Sequence, residues 1–133
     1  MSSAPYAVGT KRPTLVGSEA MPRFERHEHI RRREQFQQVY KHGARIYGGY
    51  SALFILPNKL PFGRLGIAAT KKLGGSVERN RAKRLIREVF RRNKIASGFD
   101  VVVVPNRRLL DATLTALEAE YRHNLERHLL HER

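Results

Sequence analysis

The stretch RLGIAATKKLGGSVERNRAKRLIREVFRRNKIASGFDVVVVP, residues 64–105, decides the fold. Three patterns follow one another in it. Arg64 to Ala69 alternates, with Leu65, Ile67 and Ala69 on one side, which predicts a strand. Beyond a basic, glycine-bearing loop, Thr70 to Gly75, the period changes. Ala82, Leu85, Ile86 and Val89 fall at i, i+3, i+4 and i+7 with Phe90 beside them, which predicts a helix. Ser76 is a suitable N-cap for it, and Glu78 suits its first turn. Ser97-Gly98 ends that segment. Val101-Val102-Val103-Val104 is then a continuous apolar run, the mark of a strand covered on both faces, and Pro105 closes it. Strand, helix, strand in this order calls for a crossover between parallel strands.

Outward from this unit the elements are shorter. Tyr50 to Leu56 predicts a strand with Ser51, Leu53 and Ile55 on one face and Ala52, Phe54 and Leu56 on the other. A turn from Pro57-Asn58-Lys59 to Gly63 suggests that this strand pairs with Arg64 to Ala69 as a hairpin. Glu34 to His42 reads as a short helix with Phe36, Val39 and Tyr40 at i, i+3, i+4, and Gly43 is its natural C′ residue. Asp111 or Thr113 caps a last helix whose core stripe is Leu114, Leu117, Tyr121 and Leu125. The fold class is α+β: a compact sandwich of one mixed sheet with about three helices. Residues 1–28 are punctuated by Gly, Pro and Ser without a period and read as a flexible extension; residues 29–133 form the domain.

The chain has 133 residues, enough for one domain, and a formal charge of +14. All of the excess lies in the middle: residues 31–98 hold seventeen Lys/Arg against three Asp/Glu. A located basic surface favours a polyanion, above all nucleic acid. There is no cysteine, so disulfides and thiolate metal sites are excluded. No apolar run approaches the ~20 residues of a membrane span, and the N-terminus lacks the apolar core of a signal peptide. The expected location is the cytoplasm.

The helix beginning at Ser76 carries the function. Eight of the seventeen residues from Glu78 to Lys94 are Lys or Arg. Asn80, Arg84, Arg87 and Arg91 cluster opposite the apolar stripe. Arg presents a planar fork of donors suited to phosphate. A plain solvated face would mix signs for i,i+4 pairing, and here only Glu78 and Glu88 are acidic.

Catalytic residues are not evident. Metal-dependent cleavage needs converging carboxylates. Between residues 31 and 104 the only acids are Glu34, Glu78, Glu88 and Asp100, which are scattered. His27, His29, His42, His123, His128 and His131 show no paired arrangement, and His27-x-His29 has no third metal ligand nearby. The residues describe a binder with no catalytic and no metal site.

At Thr70-Lys71-Lys72-Leu73-Gly74-Gly75-Ser76-Val77-Glu78-Arg79-Asn80-Arg81 the chain resembles the protein subunit of bacterial ribonuclease P. That family carries a Lys-Lys-x-Gly loop leading into an Arg-Asn-Arg helix, continued here by Lys83, Arg84 and Arg87. Its first helix carries the pattern of Glu34-Gln35-Phe36-Gln37-Gln38-Val39-Tyr40-Lys41-His42-Gly43. The resemblance covers roughly residues 30–130. It implies a left-handed βαβ crossover, where the general rule gives a right-handed one. It implies a subunit that assists a catalytic RNA in removing the 5′ leader of precursor tRNA by phosphodiester hydrolysis. Mg²⁺ would be bound mainly by that RNA, with no cofactor on the protein. The implied partners are ribonuclease P RNA and the precursor tRNA leader, with no membrane and no obligate protein partner. RNA contacts fall to Lys71, Lys72, Arg79, Asn80, Arg81, Lys83, Arg84, Arg87 and Arg91. An i,i+4 aromatic pair on a short helix is ordinarily core. The resemblance instead places Phe36, Tyr40 and Phe54 in a cleft where unpaired bases stack. Two alternatives stay open: a ribosomal or general RNA-binding protein of similar fold, and a DNA-binding protein. The DNA reading expects a short helix before the recognition helix, where residues 50–69 read as strands.

Overall fold

A computed structural model describes residues 26–93 and 98–131. The sheet has four strands, β1 (Ala44–Tyr47), β2 (Ser51–Pro57), β3 (Arg64–Ile67) and β4 (Phe99–Pro105), in the order β1-β2-β4-β3. The helices are α1 (Arg33–His42), α2 (Ser76–Arg92) and α3 (Leu114–His131). Short 3-10 turns span Arg26–Glu28 and Arg107–Asp111.

β4 is the central element, as its valine run requires. Val101, Val102 and Val103 are buried, and the strand is paired on both edges. It runs parallel to β3, with Leu65 beside Val101 and Ile67 beside Val103, so β3-α2-β4 is the expected crossover. It runs antiparallel to β2, with Leu53 beside Val103 and Phe54 beside Val102. The expected hairpin between β2 and β3 is therefore absent: β4 lies between them. The reason is the demand of β4 for cover. A strand apolar on both faces gains most from the middle of the sheet, where β2 and β3 both shield it.

The hairpin lies one strand earlier. Gly48-Gly49-Tyr50 turns β1 into β2, and Gly48 N–H donates to Ser51 O at 2.9 Å. The side chain of Glu120 on α3 fills the turn. Its carboxylate accepts from Gly49 N–H at 2.8 Å and Tyr50 N–H at 3.0 Å. A Cβ on Gly48 would meet that carboxylate and the Asn124 amide, so a larger residue there would push the Glu120 side chain off the turn.

The two faces of β2 divide the molecule. Leu53 and Ile55 join Leu65, Val101, Val103, Ala82, Ile86, Val89, Phe90, Leu117, Tyr121 and Leu125 in the main core beneath α2 and α3. Phe54 and Leu56 join Ile30, Val39 and Val102 on the opposite face, which α1 covers. The apolar stripes expected on α2 and α3 face the core: Ala82, Ile86, Val89, Phe90, Leu117, Tyr121 and Leu125 are buried, and Leu85 and Leu114 pack half-buried against them.

Two local expectations are corrected. Gly75, not Ser76, is the N-cap of α2, because the Glu78 side chain reaches back to accept from Gly75 N–H at 3.0 Å. Gly43 is extended, with φ −80°, rather than left-handed; its N–H donates to Val39 O at 2.8 Å, and a Cβ would stand 2.6 Å from that oxygen. Residues on either side of the expected domain start at residue 29 make contacts with the sheet and its loops. His27 packs edge-on against Phe62 at 4.6 Å, Glu28 is buried, and Ile30 N–H donates to Leu65 O at 2.8 Å. Residues 1–25 of the expected extension lie outside the described residues, as does Ser97 at the expected end of the α2 segment.

Gly66 on β3 sits under α1. A Cβ there would lie 2.9 Å from Phe36 Cε1 and Cζ and 3.0 Å from Ile30 Cβ. Gly66→Ala is expected to destabilise the fold by about 1–3 kcal/mol, the usual cost of overpacking. Denaturant unfolding checks this as a lower midpoint at unchanged slope.

Candidate nucleic-acid interface

Two surfaces stand out, one on each side of the sheet. The first is the outer face of α2. Burial of Ala82, Ile86, Val89 and Phe90 fixes the rotation of the helix. That rotation leaves Asn80, Arg81, Arg84 and Arg87 exposed or half-exposed, with Lys83 and Arg91 half-buried. Asn80, Arg84, Arg87, Glu88 and Arg91 line a shallow open depression. Arg84 and Arg87 form no ion pair among the described residues, so their guanidinium donors are available. Arg91 differs: it grips Glu88 through Nε at 3.2 Å and Nη2 at 2.5 Å. That hydrogen bond holds the Glu88 carboxyl below its usual range. Part of the Arg91 charge is thus balanced within the helix.

The loop before α2 continues this surface. Lys71 and Lys72 are exposed on a turn closed by Leu73 N–H to Thr70 O and Gly74 N–H to Lys71 O. The buried Leu73 side chain anchors the turn, and Arg107 Nη1 donates to Leu73 O at 3.2 Å. Gly74 takes φ +147°, a conformation that favours glycine. Arg79 Nη1 donates back to Gly74 O at 3.3 Å. Arg79 therefore holds the loop with one donor, leaving the others for a ligand.

The second surface lies between α1 and the exposed side of β1 and β2. The Tyr40 ring meets Phe54 edge-on at 4.9 Å and lies 6.3 Å from Phe36. Phe36 and Phe54 are half-buried against Ile30, Val39 and Val102, while Tyr40 is 36% exposed. Burial pushes the Tyr40 phenol up from its ordinary value, so it stays neutral at physiological pH. The structure brings the three expected aromatics together on one face of the sheet. It adds two residues absent from the expected set. Arg45 Cζ stands 5.3 Å from the Phe54 ring centroid, and Arg45 Nη1 donates to Tyr47 Oη at 3.3 Å. Both are on β1, a strand absent from the expected elements. The alternation of Ala44 and Ile46 with Arg45 and Tyr47 before Gly48-Gly49 is the signal that reveals it.

The four acids between residues 31 and 104 are dispersed in space as well as in sequence. Asp100 is buried, held by Arg64 Nε at 2.8 Å, Arg64 Nη2 at 2.7 Å and Asn58 Nδ2 at 2.8 Å. Glu78 serves the α2 N-terminus, Glu88 serves Arg91, and Glu34 is exposed in the first turn of α1. Among the described residues no three His, Asp or Glu side chains converge to hold a metal ion, and no helix is long and apolar enough to cross a membrane.

The chain has clear relatives among known proteins. The family model described as Ribonuclease P matches residues 24–129. The ribonuclease P protein component of Clostridioides difficile is 35% identical over 107 residues, covering 78% of this chain and 94% of that protein. That of Thermotoga maritima is 41% identical over 88 residues, covering 65% and 75%. Among solved structures, the RNase P protein of Thermotoga maritima superposes with a TM-score of 0.68 at 32% identity, covering 75% of this chain and 96% of that one. A mutant of the Staphylococcus aureus RNase P protein superposes with a TM-score of 0.70 at 31% identity, covering 77% and 89%. With the match running through the basic helix, the loop before it and the aromatic first helix, the chain belongs to the ribonuclease P protein family.

Proposed function

We propose that this chain works as the protein subunit of ribonuclease P, joining a catalytic RNA through α2 and holding the 5′ leader of precursor tRNA in the α1 cleft. One observation carries the reading: an acid-poor basic helix and an open aromatic groove sit back to back on one small domain. The basic helix suits the closely spaced phosphates of a folded RNA, with Asn80, Arg81, Lys83, Arg84 and Arg87 as contacts. Lys71, Lys72 and Arg79 extend the surface through the loop, and Arg91 borders it. The groove suits unpaired bases, which stack on aromatic rings without regard to sequence.

Mg²⁺ belongs on the RNA in this reading: among the described residues no three His, Asp or Glu side chains converge, and Asp100, Glu78 and Glu88 are already engaged. The metal supplies charge stabilisation and an activated water to phosphodiester hydrolysis. The protein positions the leader and neutralises phosphate. A cytoplasmic site of action fits a partner of this kind.

Tyr40→Ala tests the cleft. In the reconstituted enzyme, affinity for precursor tRNA carrying a leader of several nucleotides is expected to fall by about 1 kcal/mol or more. Affinity for mature tRNA, which has no leader to stack, should hold. Equal losses for the two ligands, or none for either, would place these aromatics in the core alone.

A further inference from the structure

We infer that Arg45 and Tyr47 on β1 form an additional nucleotide-binding step that lengthens the leader cleft across the edge of the sheet. The inference rests on the cleft reading above and adds two residues to it. Arg45 and Tyr47 lie two positions apart on β1, so their side chains share a face. Their partners in the ladder, Phe54 and Ala52, place that face on the cleft side. The aromatic row Phe36, Tyr40, Phe54 therefore continues through the Arg45 guanidinium to the Tyr47 ring.

Two features separate this edge from ordinary strand surface. Tyr47 is 71% exposed, a large ring left in water on a strand whose neighbour Ile46 packs against the main core. Core packing therefore does not account for the choice of tyrosine. Arg45 is committed in a directional way: it sits over Phe54 and donates to the Tyr47 hydroxyl, which braces the ring through one polar contact. It forms no ion pair among the described residues, so its positive charge stands without a carboxylate partner. A planar cation over one ring, braced against a second ring on the same face of the strand, extends the stacking surface by about one more base. Arg meets the phosphate beside that base or stacks on it, and Tyr47 supplies the far wall.

The occupant is the unpaired leader rather than folded RNA. A stacking ring serves only bases that are free of a helix, and this ring continues the groove proposed for the leader. The extra step would come into play only once the leader is long enough to pass Phe54.

The test uses the reconstituted enzyme and precursor tRNAs whose leaders lengthen one nucleotide at a time. With the native protein, affinity should rise with leader length and then level off. Tyr47→Ala is expected to bind short-leader substrates normally and to lose about fivefold or more of the affinity gained at the longer end. Tyr47→Phe, which keeps the ring, should retain most of that gain. Arg45→Ala should show the same length dependence as Tyr47→Ala and a weaker dependence on salt. A Tyr47→Ala curve superimposable on the native one at every length would overturn the inference, provided Tyr40→Ala still weakens leader binding. A loss shared equally by mature tRNA would also overturn it, by assigning the ring to another surface. Failure of Tyr40→Ala and Tyr47→Ala together would overturn the cleft reading itself.

Discussion

Without its RNA partner, the protein is expected to leave precursor tRNA uncut at every Mg²⁺ concentration. The expectation follows from how three of the four acids in the basic region are used, Glu34 standing alone among the described acids at the start of α1. Hydrolysis of a phosphodiester by a protein metal site needs carboxylates that converge and remain free to bind the ion. Asp100 is closed off by Arg64 and Asn58 beneath the surface. Glu78 is spent on the α2 N-terminus and Glu88 on Arg91. A histidine acid–base pair is the remaining route. Of the described histidines, the His27 ring packs on Phe62 and the His128 ring lies 6.3 Å from Phe99, each turned to an aromatic neighbour. Adding ribonuclease P RNA should switch cleavage from none to full turnover. Gel analysis of leader release with and without the RNA decides it. Cleavage by the protein alone that vanishes on mutation of its own residues would reverse the assignment of the chemistry.

Arg84→Ala combined with Arg87→Ala is expected to give the largest loss of RNA-subunit affinity of any pair on α2. Both side chains lie on the outer face, and neither is tied to an acid among the described residues. Their removal should weaken binding and reduce the log–log salt slope by up to ~2 units, one for each phosphate that a guanidinium no longer neutralises. The fold should be unaffected, because Ala82, Ile86, Val89 and Phe90 make the packing contacts of the helix. Circular dichroism melting separates the two effects. A double variant with native affinity and native slope would move the RNA surface elsewhere. Arg91→Ala is a useful contrast. It also releases Glu88, whose carboxylate would then face the same depression, so its effect mixes lost attraction with added repulsion.

What could be read without coordinates was whatever depends on one segment at a time. The period of α2 needs only the spacing of Ala82, Leu85, Ile86 and Val89, and it settles which arginines face out. The alternation of β2 settles that Leu53 and Phe54 serve opposite faces. The valine run of β4 announces burial on both sides. The motif from Thr70 to Arg81 identifies the family. Each of these follows from local geometry, because a helix or a strand turns its side chains by a fixed angle whatever surrounds it.

The tertiary structure decided what depends on competition between segments. β4 displaces β3 from the side of β2, since an all-apolar strand gains more from the centre than a hairpin gains from a short turn. β1 exists because β2 offers it a free edge and Glu120, seventy-one residues away from Gly49, ties down the turn between them. Its four residues alternate over too short a span to stand out unless Gly48-Gly49 is read with them as a turn. Arg79 and Arg91 look equivalent to Arg84 and Arg87 along the chain, yet Gly74 O and the Glu88 carboxylate engage the first two. The aromatic row is a product of the same kind. Phe36, Tyr40, Phe54, Arg45 and Tyr47 come from three elements, and only the packing of α1 on one face of the sheet brings them into one groove.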